Sequence, residues 1–168
     1  WANVDFQKKD VRQFKFERKD DVAVVHLTLL PFLESTGEIK TKPTQHSVKT
    51  MLQSGVQPDI IVCRTAYAIT ESIKQKIALF CNVEYNAVIE SVNADTIYEV
   101  PLLVLEQKLD LVVANKLGLH KLKNLEHSIW KKRLNKLKRS KHALNIAIIG
   151  KYVELKDSYK SIYGALTH

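Results

Sequence analysis

Short apolar runs alternate with amphipathic ones along most of this chain. Residues 22–30 are almost wholly apolar and predict a buried strand. Residues 45–54 carry an apolar stripe at helical spacing, and Gly55 stands where a left-handed residue would close that helix. A second strand is expected over 59–63, ending just before Arg64. A second helix over 71–80 would place Ile73, Ile77 and Phe80 on one face, with Thr70 as its cap. Residues 87–91 read as a third strand, and 102–117 as helix with a break near Asp110. A basic helix over about 125–139, a buried strand over 144–149 and a helix over about 157–166 complete the pattern. Strands alternating with helices predict an α/β layer around a mostly parallel sheet.

Composition changes this picture little, but charge does. The 168 residues have room for one core and part of a second, and 45% hydrophobic with 26% charged residues is ordinary for a globular domain. Each apolar run is interrupted by Asp, Glu or Lys well short of a membrane span, and residues 1–5 carry no signal pattern. They also lack an initiator methionine, which reads as a fragment or a processed product. Two cysteines are too few for a disulfide framework and suit a reducing, cytoplasmic setting. The net charge of +8 sits in one place: residues 121–142 hold nine Lys or Arg against Glu126 alone, and the remainder is balanced. Leu125, Ile129, Leu134 and Leu137 recur there at helical spacing, so the run reads as an amphipathic linker with a solvated basic face. Nucleic-acid binding is the less favoured reading, because Trp130 is the one aromatic interleaved with the charges.

The segment Gly37-Glu38-Ile39-Lys40-Thr41-Lys42-Pro43-Thr44-Gln45-His46-Ser47-Val48-Lys49 carries the most chemistry. Pro43 fixes its own φ and pushes Lys42 toward extended backbone. Thr44 is expected to cap the following helix, whose first N–H groups then favour an anion beside Lys40 and Lys42. Five further blocks follow the same order as a known family: Val25 to Phe32 with H-L-T-L-x-P, Gln57 to Arg64 with Q-P-D-I-x-x-C-R, and Lys76 to Val83 with K-I-A-L-F-C-N-V. Ser91 to Pro101 and Gly150 to Leu155 complete them. From about Arg12 onward the chain resembles the CTP synthase family, whose members form CTP from UTP with ATP and glutamine.

The resemblance implies a partial Rossmann-like, P-loop-type parallel sheet with flanking helices, a basic linker helix and one strand–helix unit of a second domain. It divides the chain into the C-terminal part of a synthase (amidoligase) domain over 1–119, a basic helical linker over 120–142 and the start of a glutaminase domain over 143–168. It further implies that Lys40, Thr41, Lys42, Pro43, Thr44, Gln45 and Lys76 contact UTP, or CTP as feedback inhibitor. ATP contacts are implied for Arg64, Val92, Asn93 and Ala94, although many relatives carry K-D-V at the last three. ATP and Mg²⁺ are the cofactors so implied, and a homo-oligomer (a tetramer in the family) the assembly.

The residues themselves support binding more than catalysis. Ammonium groups are point-charge partners for phosphate, and a guanidinium plane stacks on a purine. No G-x-x-x-x-G-K-[ST] can be assembled from the five glycines, and Asp5 to Asp10 does not resemble the acidic D-I-E motif of the family. Cys63 and Cys81 read as small core residues rather than nucleophiles, and the six histidines show no metal spacing. His46 reads as an exposed helix-start histidine. The expectation is therefore a part of CTP synthase that carries nucleotide contacts but is inactive alone. The alternative is a non-catalytic nucleotide-binding or oligomerisation module.

Overall fold

The computed structural model describes residues 10–17, 21–119, 128–139 and 144–167. They fall into two compact units, residues 1–134 and 135–168. In the first, strands β1 (Val25–Leu29), β4 (Ile60–Arg64) and β5 (Val88–Ser91) form a parallel sheet in the order β1-β4-β5. The register pairs His26 with Ile61 and Ile61 with Val88. A short antiparallel ribbon, β2 (Phe32–Leu33) with β3 (Glu38–Ile39), follows β1, and Gly37 turns it at φ +64°.

Each crossover between parallel strands is a helix. Helix α2 (Lys42–Gln53) joins β1 to β4, and α3 (Glu71–Cys81) joins β4 to β5. Both cover one face, where Ile61, Cys63 and Val88 pack with Val48, Ile77, Ala78 and Cys81. Helices α4 (Val100–Glu106) and α5 (Leu109–Lys116) cover the other, where Ile60 and Ile89 pack with Val112, Val104 and Val113. The expected caps at α3 are present: Thr70 accepts from the Ile73 N–H at 3.4 Å, and Asn82 ends the helix at φ +52°. Gly55 takes the left-handed conformation after α2. On β5, the Gln107 side chain closes the outer edge by accepting from Glu90 N–H and donating to Glu90 C=O, both at 2.8 Å. Helix α1 (Val11–Glu17) is fastened by Lys15, which donates to Asp59 at 2.6 Å.

Four sequence expectations need correction. The first strand begins at Val25, not residue 22, and it is not buried on both faces: Leu27 and Leu29 are 67% and 63% exposed. Strand β1 is an edge, and α4 and α5 reach only β4 and β5, so apolar content alone gave the wrong burial. Helix α2 starts at Lys42, three residues early, because Pro43 fits the first turn, so Lys42 is helical rather than extended as expected. The break expected near Asp110 falls at Lys108, whose φ of +62° separates α4 from α5. Residues 144–149 form no strand: Leu144 and Ile149 are 89% and 96% exposed, since the described residues of their unit supply no strand to pair with.

The basic helix appears as α6 (Ser128–Lys138), and residues 125–127 of the expected span lie outside the described residues. In the second unit, α7 (Lys160–Thr167) follows a single tight turn, and the Tyr159 hydroxyl donates to Lys151 C=O at 2.6 Å. Among the described residues no helix is long and apolar enough to cross a membrane.

The core makes a direct prediction. Ile77 is fully buried at the junction of α3 with β4 and β5. Ile77→Ala should lower the unfolding free energy by about 2–5 kcal/mol, read from urea titrations by circular dichroism.

Candidate nucleotide-binding site

Polar and cationic side chains gather where the parallel strands end. Beyond β1, the backbone of Leu30 donates to Arg64 C=O at 2.8 Å, and Lys40 N–H donates to Pro31 C=O at 2.9 Å. The β2–β3 ribbon therefore returns the chain to the top of β1, and α2 departs from there with Thr41 at its cap position. No side chain caps α2, so its first-turn N–H groups keep the positive end of the helix available to an anion.

The seven residues expected at UTP or CTP divide by burial. Lys42 and Pro43 are exposed in the first turn, and Lys42 forms no ion pair among the described residues. Lys40 is half-buried, and its ammonium is paired with Glu38, which holds the Glu38 carboxyl below its ordinary range. Thr41 is buried and accepts from the Gln45 side-chain amide at 3.1 Å. Thr44 is not the cap the sequence predicted. It is fully buried inside the first turn, and its hydroxyl donates to Leu29 C=O at 3.1 Å, with Thr28 Oγ1 behind it at 3.5 Å. A cap residue must stand outside the helix, and the earlier start at Lys42 moves Thr44 inside. Lys76 is exposed in mid-α3 and makes no hydrogen bond to residues 40–45. Helices α2 and α3 pack side by side, so the structure brings six of the seven residues into one segment and leaves Lys76 on the neighbouring helix.

The residues expected at ATP are brought together more tightly. The Arg64 guanidinium donates to Thr65 C=O at 2.8 Å, to Ser91 C=O at 3.0 Å and to Asn93 Oδ1 at 2.7 Å. Asn93 is exposed, whereas Val92 and Ala94 are half-buried. Val92, Asn93 and Ala94 line a cleft of about 270 Å³ with Leu102 and Glu106 of α4 and Leu134 of α6.

Several positioning groups lie outside the motifs. Glu90, in register with Cys63, accepts from Ile69 N–H at 2.8 Å and ties the β4–α3 loop to β5. Tyr67 of that loop packs on Phe32 with ring centroids 4.5 Å apart. Glu38 was legible from its place two residues before Lys40, on the same side of an extended segment. Glu90, Tyr67 and Leu134 had no such local signal. Cys63 and Cys81 are buried core residues as expected, and burial pushes their thiols up to about 12 and about 11. Among the described residues no group of three His, Cys, Asp or Glu could hold a metal ion.

A parallel α/β layer with cationic side chains at the carboxyl ends of its strands is the arrangement in which open sheets take their ligands. Comparison with known proteins makes the class specific. Residues 4–119 match the family described as CTP synthase N-terminus. The chain is 51% identical to the CTP synthase of Flavobacterium psychrophilum over 161 residues, 95% of this chain and 30% of that protein. It is 48% identical to that of Bacteroides fragilis over 159 residues and 45% identical to that of Clostridium beijerinckii over 161, again 95% of this chain and 30% of each relative. The chain belongs to the CTP synthase family, and it spans about 30% of the length of these relatives.

The match also corrects two expectations. The chain was expected to represent the C-terminal part of the synthase domain, the linker and the glutaminase start, but residues 4–119 match the family's N-terminus. Ordered motifs fix sequence relative to one another and do not fix their place in a longer protein. The match also begins ahead of Arg12, so Asp5 to Asp10, which look foreign to the family, fall inside it.

Three outcomes follow from the site. With both thiols protonated and enclosed, a maleimide at pH 7.5 should leave Cys63 and Cys81 unmodified in the folded chain and label both in denaturant, read by mass spectrometry. Because their folded values lie above the unfolded one, their contribution to stability is complete below about pH 9 and is lost as pH rises toward 11–12. Thr44→Val, which leaves Leu29 C=O without its donor, should destabilise by about 1–3 kcal/mol, and Thr44→Ser by less, in the same denaturant titration.

Proposed function

We propose that this chain carries the UTP- or CTP-facing and ATP-facing residues of an ATP-dependent amination of UTP to CTP, with glutamine as nitrogen donor. One observation carries the reading: Arg64 and Asn93, 29 residues apart and both expected at ATP, are hydrogen-bonded to each other at the carboxyl ends of β4 and β5. The relatives, themselves CTP synthases, support the reaction. On the pyrimidine-nucleotide side, Lys42 is the exposed cation at the uncapped start of α2, with Lys40, paired with Glu38, just before it and Lys76 on the neighbouring helix. Thr41, Pro43, Thr44 and Gln45 shape that turn, and the two buried threonines do so from inside. On the ATP side, Arg64 offers a planar face to a purine, with Val92, Asn93 and Ala94 beside it.

Phosphoryl transfer to the UTP carbonyl oxygen needs a phosphate cradle, and ammonia must then displace that phosphate. This chain has no glycine-rich phosphate loop, and its described residues do not fit a Mg²⁺ ion. In this reading the chain binds nucleotides and does not by itself form CTP. Assembly as a homo-oligomer, a tetramer, in the cytoplasm belongs to the same proposal.

Titration calorimetry with UTP tests it. The purified chain should bind UTP, Lys42→Ala should weaken binding about tenfold or more, and Lys49→Ala, beyond the first turn, should not. Equal affinity in the wild type and Lys42→Ala would remove the assigned site.

A further inference from the structure

We infer that Trp130 and Leu134 are positioning residues for the purine side of the site: they make the basic helix α6 a wall of the cleft beside Asn93. The inference rests on the ATP reading of Arg64 and Asn93 above. The sequence reads α6 as a solvated linker, but two of its apolar residues, Trp130 and Leu134, are in use. Trp130 Nε1 donates to Tyr98 C=O at 2.9 Å, and the two rings lie 6.2 Å apart at 59°. Leu134, one helical turn further on, is 8% exposed and shares the cleft with Val92, Asn93 and Ala94.

The path from this wall to the guanidinium is short. Tyr98 belongs to a compact turn in which Asp95 N–H donates to Glu99 Oε2 at 3.0 Å and Glu99 N–H donates to Thr96 C=O at 3.0 Å. The chain enters that turn from Asn93, whose Oδ1 holds Arg64 Nη2 at 2.7 Å. A bond from Trp130 to the turn therefore restrains, from outside, the segment that orients Arg64. Lys131, Lys132 and Arg133 stay exposed, and Lys132, two residues from both Trp130 and Leu134, stands on the opposite side of the helix. Apolar contact and one hydrogen bond dock α6, and the positive charge remains in water. The run's one aromatic therefore has its N–H committed to Tyr98.

The test measures a non-hydrolysable ATP analogue by calorimetry and amide exchange by mass spectrometry on the purified chain, as wild type, Trp130→Phe and Leu134→Ala. Trp130→Phe keeps an aromatic ring while removing the donor and the part of the indole that carries it. Both variants should bind the analogue about tenfold more weakly and exchange faster over residues 92–99, with exchange over residues 60–64 unchanged. Unchanged affinity and exchange in both variants would overturn the inference while leaving the ATP reading intact. Faster exchange throughout the sheet would reduce the two residues to general stabilisers and overturn it equally. A wild type that does not bind the analogue would remove the ATP reading, and this inference with it.

Discussion

The fold hangs on strand β4, which must satisfy two cores at once. Its successive side chains alternate, with Ile61 and Cys63 against α2 and α3, and Ile60 and Val62 against α4 and α5. A slip of one residue would exchange the two sets, so the register with β1 and β5 is strongly specified. Arg64 is the first residue of the strand to escape burial, and its backbone still belongs to the ladder through Leu30. The direction of its guanidinium is thus an outcome of core packing two residues earlier.

The same constraint explains why the chemistry collects at one end. Each strand delivers its last residue to the rim from which the crossover helix departs, so Lys42, Arg64 and Asn93 follow three strand ends. What differs is how they are held. The turn before α2 is held from below by buried hydroxyls, with Thr44 on Leu29 and Gln45 on Thr41. Arg64 is held laterally, by carbonyls of its own loop and of β5 and by Asn93. The first arrangement leaves a cation free, and the second presents a plane.

Much of this was legible in the chain. Alternating apolar runs gave the three parallel strands and their helices, and Thr70 and Gly55 marked helix ends. The misreadings have a shared cause, since pattern reports what a segment could bury and neighbours decide what it does bury. Leu27 reads as core but lies beyond the reach of α4 and α5. Residues 144–149 read as strand but find nothing to pair with in their unit. Thr44 reads as a cap because threonine before an amphipathic run usually is one, yet Pro43 lets the helix begin earlier. At the site, the lysines and Arg64 were visible as motif residues. Glu90, Gln107 and Trp130 act across 17 to 32 positions of sequence, where no local spacing rule applies.

The open side of β1 sets the colloidal behaviour of the molecule. Val25, Leu27 and Leu29 present a greasy strip on one face of this outer strand, with no proline or charge among them to deter an apolar partner. Opposing this, an excess of eight positive charges keeps copies apart, and that repulsion fades within about 8 Å at physiological ionic strength. Salt therefore acts on this chain between molecules as well as within it: raising it uncovers the stickiness of one strand.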